Sequence, residues 1–258
     1  MKKIFLLVLI LCLFLCGCGK KNNVPINDLE TIMKRGYIIV GVRDDTAPFG
    51  FKDEKGNYIG FDIDLAKTIA QALFRDENKI LFVPVTASNR ISILNSGEVD
   101  MLIATMSITE QREQFLNFSR PYYTAGQAIL TRSSSNATNL KDFRGKKLII
   151  VFGSTGEEDL RANAPDVEIL GFKTYKEAYN ALKAGKAAGI MADDTILMGF
   201  AYNDVSVKIL PKRYSQEPYA VVFRKDPESL TLMNKVDYIV ETLQTTGRMN
   251  RLKEKWGL

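Results

Sequence analysis

Apolar runs of strand length alternate with amphipathic runs of helix length, and this alternation constrains the chain more than any other feature. Residues 37–42 (YIIVGV) are almost wholly apolar, and residues 61–73 place Ile63, Leu65, Ala66, Ile69, Ala70 and Leu73 at helical spacing. Residues 80–85 are apolar again, residues 90–95 read as a short helix ended by Gly97, and residues 101–104 form a third strand. Strands apolar on both faces and joined by helices require a parallel α/β sheet with right-handed crossovers. In such sheets ligands bind beyond the carboxyl ends of the strands. Arg43, Arg90 and the segment from Thr105 to Arg112 all fall just past strand ends and are expected to share one rim.

The pattern restarts after Pro121-Tyr122-Tyr123, which predicts a crossover into a second lobe. Residues 127–131 and 148–152 read as strands, 133–139 as a polar loop, 175–184 as a helix ended by Gly185, and 188–191 as a short strand. A helix over 195–202 follows, then Ser215-Gln216-Glu217-Pro218-Tyr219 and a strand over 220–223. The closing helices, 228–244 and 248–256, carry apolar residues at core spacing, and the single Trp256 reads as a packing anchor. Residues 43–49 read as a loop and 54–57 as a turn.

Three places offer chemistry. Arg112 stands in the first turn of a helix starting near Thr109, at the positive end of the helix dipole where an acid would serve stability better. With the hydroxyls of Thr105 and Ser107 it forms a fork suited to a small carboxylate; alone, the same pattern also describes a solvated helix arginine. Gly153-Ser154-Thr155-Gly156 ahead of Glu157, Glu158 and Asp159 permits a tight turn with outward N–H groups, or simply a strand-to-helix connection. No Gly-Lys-Ser or Gly-Lys-Thr follows, which argues against a nucleotide phosphate loop. Asp193, at a strand end, is placed to receive an ammonium group, whereas Asp194 reads as a helix cap. With no histidine in 258 residues, His-based catalysis and His metal ligation are excluded, and no cofactor or metal is implied.

The N-terminus reads as an address. Lys2 and Lys3 precede an apolar run over residues 4–15, too short for an ordinary membrane span. Leu15-Cys16-Gly17-Cys18 looks like a bacterial lipobox, which would make residues 1–17 a signal peptide and Cys18 a diacylated first mature residue. Cleavage there removes two of the three cysteines, so the mature chain has no disulfide. The net charge of +5 owes two units to Lys2 and Lys3, and nothing suggests nucleic acid as a partner.

Taken together, GVRDDTAPFGF (41–51), GFDIDLAKTIA (60–70), LNSGEVDMLIATMSITEQREQFLNFSRPYY (94–123), GSTGEEDL (153–160), MADDTILMGF (191–200) and SQEPY (215–219) resemble the extracytoplasmic solute-binding proteins of polar amino-acid ABC transporters. The resemblance implies a type II periplasmic-binding-protein fold. Lobe 1 would comprise 28–122 and 220–258, lobe 2 127–215, with a hinge at 123–126 and 216–219 and a lipidated tether at 18–27. It implies that Arg112 grips a ligand α-carboxylate with Thr105 or Ser107, Thr155 and Gly156, and that Asp193 pairs with the α-ammonium. Ala104 and Phe152 join the ligand-facing set, with Tyr175 nearby.

Glutamine-type binders carry an aromatic where this chain has Ala87, while Arg43 and Arg90 resemble the basic pair of glutamate and aspartate binders. Arg43, Arg90 and Arg112 against Asp193 leave an excess of two positive charges, unless Arg43 turns outward into an ion pair with Asp44 or Asp45. The expected ligand is therefore L-glutamate, then L-aspartate, with glutamine or another polar amino acid as the alternative. The expected partners are an ABC permease and, through the lipid anchor, the membrane; the expected form is a monomer at the outer face of the cytoplasmic membrane or in the periplasm. No covalent chemistry is required, although the same fold hosts dehydratases and lytic transglycosylases, and a sensor or adhesin would use the same cleft. The lipobox predicts that Cys18→Ala yields a soluble protein; continued incorporation of labelled lipid would refute the anchor.

Overall fold

The computed structural model describes residues 27–202 and 204–258; the signal peptide, Cys18 and the tether through residue 26 lie outside them. After helix α1 (Leu29–Arg35), the first sheet is laid down by β1 (Ile38–Val42), β5 (Ile80–Pro84) and β6 (Met101–Ile103), all parallel. Helix α2 (Phe61–Phe74) and helix α3 (Arg90–Asn95) make the crossovers. β7 (Leu116–Phe118) and the returning β15 (Val222–Arg224) complete the order β5-β1-β6-β15-β7. The second sheet, β11-β10-β12-β9-β13, uses β9 (Gln127–Arg132), β10 (Lys147–Val151), β11 (Glu168–Phe172), β12 (Gly189–Asp193) and β13 (Val207–Ile209). Between the sheets lies an antiparallel pair, β8 (Tyr123–Ala125) with β14 (Glu217–Tyr219). Two lobes joined by paired strands make this the type II periplasmic-binding-protein fold.

Each sheet has cores on its faces. Against the first sheet, α2 buries Phe61, Ile63, Leu65, Ala66, Ile69, Ala70 and Leu73 beside helix α8 (Ser229–Thr245) and helix α9 (Arg248–Lys255). Each large apolar side chain so buried contributes about 1.5–3 kcal/mol. A smaller cluster around Val85, Leu94, Val99 and Leu102 lies elsewhere in the same lobe. Trp256 closes the far end as an anchor: its Nε1 donates to Asp64 Oδ2 at 2.8 Å and its ring meets Phe51 edge to face. In the second lobe, helices α6 (Tyr175–Lys183) and α7 (Asp194–Ala201) cover one cluster, while helix α5 (Gly156–Asn163) and the 3-10 turn at Leu140–Phe143 cover another.

The structure adds elements where loops were expected. β2 (Asp45–Thr46), β3 (Gly50–Lys52) and β4 (Tyr58–Ile59) form a small antiparallel sheet in the segment read as loop and turn. Strands of two or three residues are too short to show a period of two. The turn itself is set by Asp53, whose carboxylate accepts from the N–H groups of Lys55 and Asn57. The helix expected near Thr109 is only α4 (Glu110–Glu113), capped by Thr109, and β7 follows at once. β11 is an edge strand of intermediate burial, so its sequence lacks the continuous apolar signature of its neighbours.

Gly60 starts α2 at φ 129°, and a Cβ there would stand 2.0 Å from the Phe49 carbonyl oxygen. That close approach lets the carbonyls of Pro48 and Phe49 accept from the N–H groups of Phe61 and Asp62, fixing the loop after β1 against the helix. Gly60→Ala is expected to destabilise the protein by roughly 2–4 kcal/mol, read as a lower urea midpoint with unchanged slope. An unchanged midpoint would mean that this backbone approach is dispensable.

Candidate functional site

The cleft between the lobes is closed. Ala87, from the loop after β5, packs into the core of the second lobe, and Tyr175 at the start of α6 places its ring 5.4 Å below the Arg43 guanidinium. Gly153 lies against the Ala87 carbonyl so closely that a Cβ would be 2.4 Å from it, with φ 79°.

Arg43, Arg90 and Arg112 are all buried here. Arg90 opens α3, and its Nη1 donates to the carbonyls of Ala104 at 2.7 Å and Thr105 at 3.2 Å. Arg112 Nη1 donates to the Ser107 carbonyl at 2.8 Å. Both arginines also reach across the cleft to the Gly153 carbonyl, at 3.2 Å each. Burial, together with Arg112 and Arg43, lowers the Arg90 pKa to about 9, and Arg112 is likewise lowered by burial. Arg43 is held by its near neighbour: Nη2 and Nε donate to Asp45 Oδ1 at 2.6 and 3.1 Å. Arg43 Nη1 and Arg90 Nε remain buried donors without an acceptor.

The second lobe supplies the acids. Asp193 ends β12, where its two oxygens accept from Gln127 Nε2 and from the Tyr219 hydroxyl. Burial and then the charge of Glu217 raise its pKa to about 7. Gln127 Nε2 also donates to Thr155 Oγ1 at 3.0 Å, and that hydroxyl donates to Glu217 Oε2 at 3.1 Å. Glu217 Oε1 accepts from Ser215 at 2.7 Å, so the hinge strand β14 is tied to the start of α5. Gly156, first residue of α5, is buried close enough to Gln127 that an added Cβ would lie 3.2 Å from its Oε1.

Thus Arg43, Arg90, Ala104, Thr105, Ser107, Arg112, Thr155, Gly156, Tyr175 and Asp193 are brought to one crevice. Thr105 and Ser107 meet Arg90 and Arg112 through their backbone carbonyls. Phe152 does not join them: its side chain is 46% exposed and its ring lies over Gly171 of β11. The residue before Gly153 points to the opposite side of the strand end, as alternation requires. Asp194 binds the Gly126 N–H at 3.2 Å and Arg213 at 2.7 Å, outside the crevice.

Gln127, Glu217, Tyr219 and Asp62 were not singled out from the sequence. Gln127 heads the strand β9 just before its apolar run, and the other three sit inside the GFDIDLAKTIA and SQEPY motifs, so a polar residue beside an apolar run was the available signal.

A buried interlobe crevice lined by three guanidiniums and a hydrogen-bonded carboxyl has the enclosure and the convergent polar groups of a small-solute site. The chain belongs to the bacterial extracellular solute-binding proteins, family 3, whose model matches residues 38–258. It is 40% identical to a glutamine-binding protein of Geobacillus stearothermophilus over 81% of this chain and 80% of that one. It is 34% identical to the ABC transporter glutamine-binding protein GlnH of Bacillus subtilis over 99% and 97%. A glutamate/aspartate import solute-binding protein of Salmonella typhimurium is 28% identical over 88% and 78%. Among solved structures, an ancestral arginine-binding protein bound to glutamine superposes with a TM-score of 0.79 at 36% identity, covering 86% of this chain and 98% of its own. These relatives are solute-binding proteins rather than enzymes.

Asp193 and Asp62, both raised to about 7 chiefly by burial, hold protons between about pH 4 and 7 that the unfolded chain releases. Their contribution is full below the unfolded value and is lost as pH rises through 7. The urea midpoint of ligand-free protein should therefore be lower at pH 8 than at pH 5, and Asp193→Asn should reduce the difference. A midpoint that rises over this range would contradict the burial of these two carboxyl groups.

Proposed function

We propose that this protein captures L-glutamine between its lobes and delivers it to an ABC permease, held at the outer face of the membrane through Cys18. The observation that carries the ligand is the pairing of Arg43 with Asp45. The expected surplus of positive charge assumed Arg43, Arg90 and Arg112 against Asp193 alone. Asp45, Glu217 and the buried Asp62 stand beside the same arginines, so no surplus remains for a second ligand carboxylate. A side-chain amide also needs acceptors for its NH2, and Asp45 with the carbonyls of Ala104 and Thr105 supplies them. Arg112 takes the α-carboxylate together with the first turn of α5 at Thr155 and Gly156, and Asp193 takes the α-ammonium. The two most similar relatives described above, both named as glutamine-binding, support the same ligand.

An acidic ligand is the second reading. Arg43 Nη1 and Arg90 Nε are buried donors lacking acceptors, which a second carboxylate would satisfy. The glutamate/aspartate import relative points the same way at lower identity.

Titration calorimetry of ligand-stripped residues 19–258 with L-glutamine, L-glutamate, L-aspartate and L-arginine separates them. One-site binding tightest for glutamine is expected; tightest binding of glutamate or aspartate would replace the ligand while keeping the site. Arg112→Ala should weaken every amino acid by roughly 2–5 kcal/mol, as for loss of one partner of a buried charge pair. Undiminished binding by that variant would reject the site assignment. Deletion of the gene should lower glutamine uptake, and unchanged uptake would favour a sensor.

A further inference from the structure

Beneath the crevice, Asp62 is fully buried in the first turn of α2. Its Oδ2 accepts from the Thr105 N–H at 3.1 Å, and the phenol of Tyr122 faces the same carboxyl group. Thr105 stands at φ 46°, a left-handed conformation unusual for a β-branched residue. The Thr105 carbonyl, with that of Ala104, is what Arg90 grips. A carboxylate thus pins a strained residue whose own backbone orients a site arginine.

We propose that Asp62 is a specificity-determining positioning residue: a buried negative charge behind Arg43 and Arg90 that disfavours a second carboxylate on the ligand and thereby selects an amide. The inference rests on the amino-acid site proposed above. The groups facing Asp62 are Arg43 at the end of β1, Arg90 on α3, the phenol of Tyr122 before β8, and the Thr105 N–H. Both arginines favour its ionised form, and burial opposes them. An ionised Asp62 offsets one guanidinium and repels a ligand carboxylate brought to the same side of the crevice; a neutral side chain of the same shape does neither. Asp193 meets the ammonium group common to every amino acid, but it titrates over the same range and acts on Arg90, so the comparison of wild type with Asp62→Asn is what isolates the charge of Asp62.

The test is that ratio, measured by calorimetry on residues 19–258 for wild type and Asp62→Asn at pH 6 and pH 8. Asparagine retains an acceptor for the Thr105 N–H and removes only the charge. At pH 8 the variant should raise the glutamate-to-glutamine ratio about tenfold or more, the effect of one nearby charge. The wild-type ratio should rise as pH falls from 8 to 6, because Asp62 gains a proton, and the variant's ratio should rise clearly less, Asp193 being the acid left to titrate. A variant that weakens both ligands equally, with the wild-type ratio insensitive to pH, would show Asp62 to be structural only and overturn the proposal. Should Asp62→Asn not fold, the wild-type ratio decides alone, since a flat profile is incompatible with the proposal. Failure of the protein to bind any amino acid would instead reject the underlying site.

Discussion

Three guanidinium groups share one closed crevice, and the rest of the site is arranged around making that tolerable. Like charges at such separations repel strongly when water is largely excluded, and each buried cation also loses its hydration. Backbone carbonyls of Ala104, Thr105, Ser107 and Gly153 take up part of the donor capacity of Arg90 and Arg112. Carboxylates supply the counter-charge: Asp45 directly on Arg43, Asp62 from below, Asp193 from the opposite lobe and Glu217 from the hinge strand. Because acids of both lobes are needed, the electrostatics of the site depend on closure.

Closure is coupled to the hinge through identifiable groups. Tyr219 belongs to hinge strand β14 and donates to Asp193, while Glu217 of the same strand accepts from Thr155 at the start of α5. The Tyr219 ring also packs with Phe49, Tyr122 and Tyr123 on the first-lobe side, in edge-to-face and tilted contacts. One strand therefore touches the acid that would receive an ammonium group, the helix start that would receive a carboxylate, and the aromatic cluster under the first lobe. A ligand shifts such an equilibrium only by contacts better made in the closed form, and here those contacts run into the hinge itself.

Selectivity between an amide and an acid on this framework is a matter of residual charge. A count of arginines alone favours a dicarboxylate, because it treats every guanidinium as free. Pairing of Arg43 with Asp45 removes one cation from that count, and in the role proposed for Asp62 its buried carboxylate would remove another. What distinguishes ligands of the same length is then whether the last polar group meets a mixture of donors and acceptors or donors only.

The alternation of apolar strands with amphipathic helices is local, so the sequence by itself determined the parallel strands β1, β5 and β6 and the placing of Arg43, Arg90, Arg112 and Asp193 at or beyond strand ends, whereas the antiparallel pairing of β7, β9, β13 and β15 was left to the fold. The motif order was equally sufficient to place the chain in its solute-binding family. Only the tertiary structure decided which charges neutralise which. Asp62 meets Thr105, Gln127 meets Asp193, and Glu217 meets Thr155 across sequence separations of 43, 66 and 62 residues, which no periodicity encodes. Arg43 and Asp45, only two residues apart, pair where the ring of Tyr175 from the second lobe lies over the guanidinium. Side-chain direction is set by what packs over it, and that is why the sign of the cleft emerged from the fold.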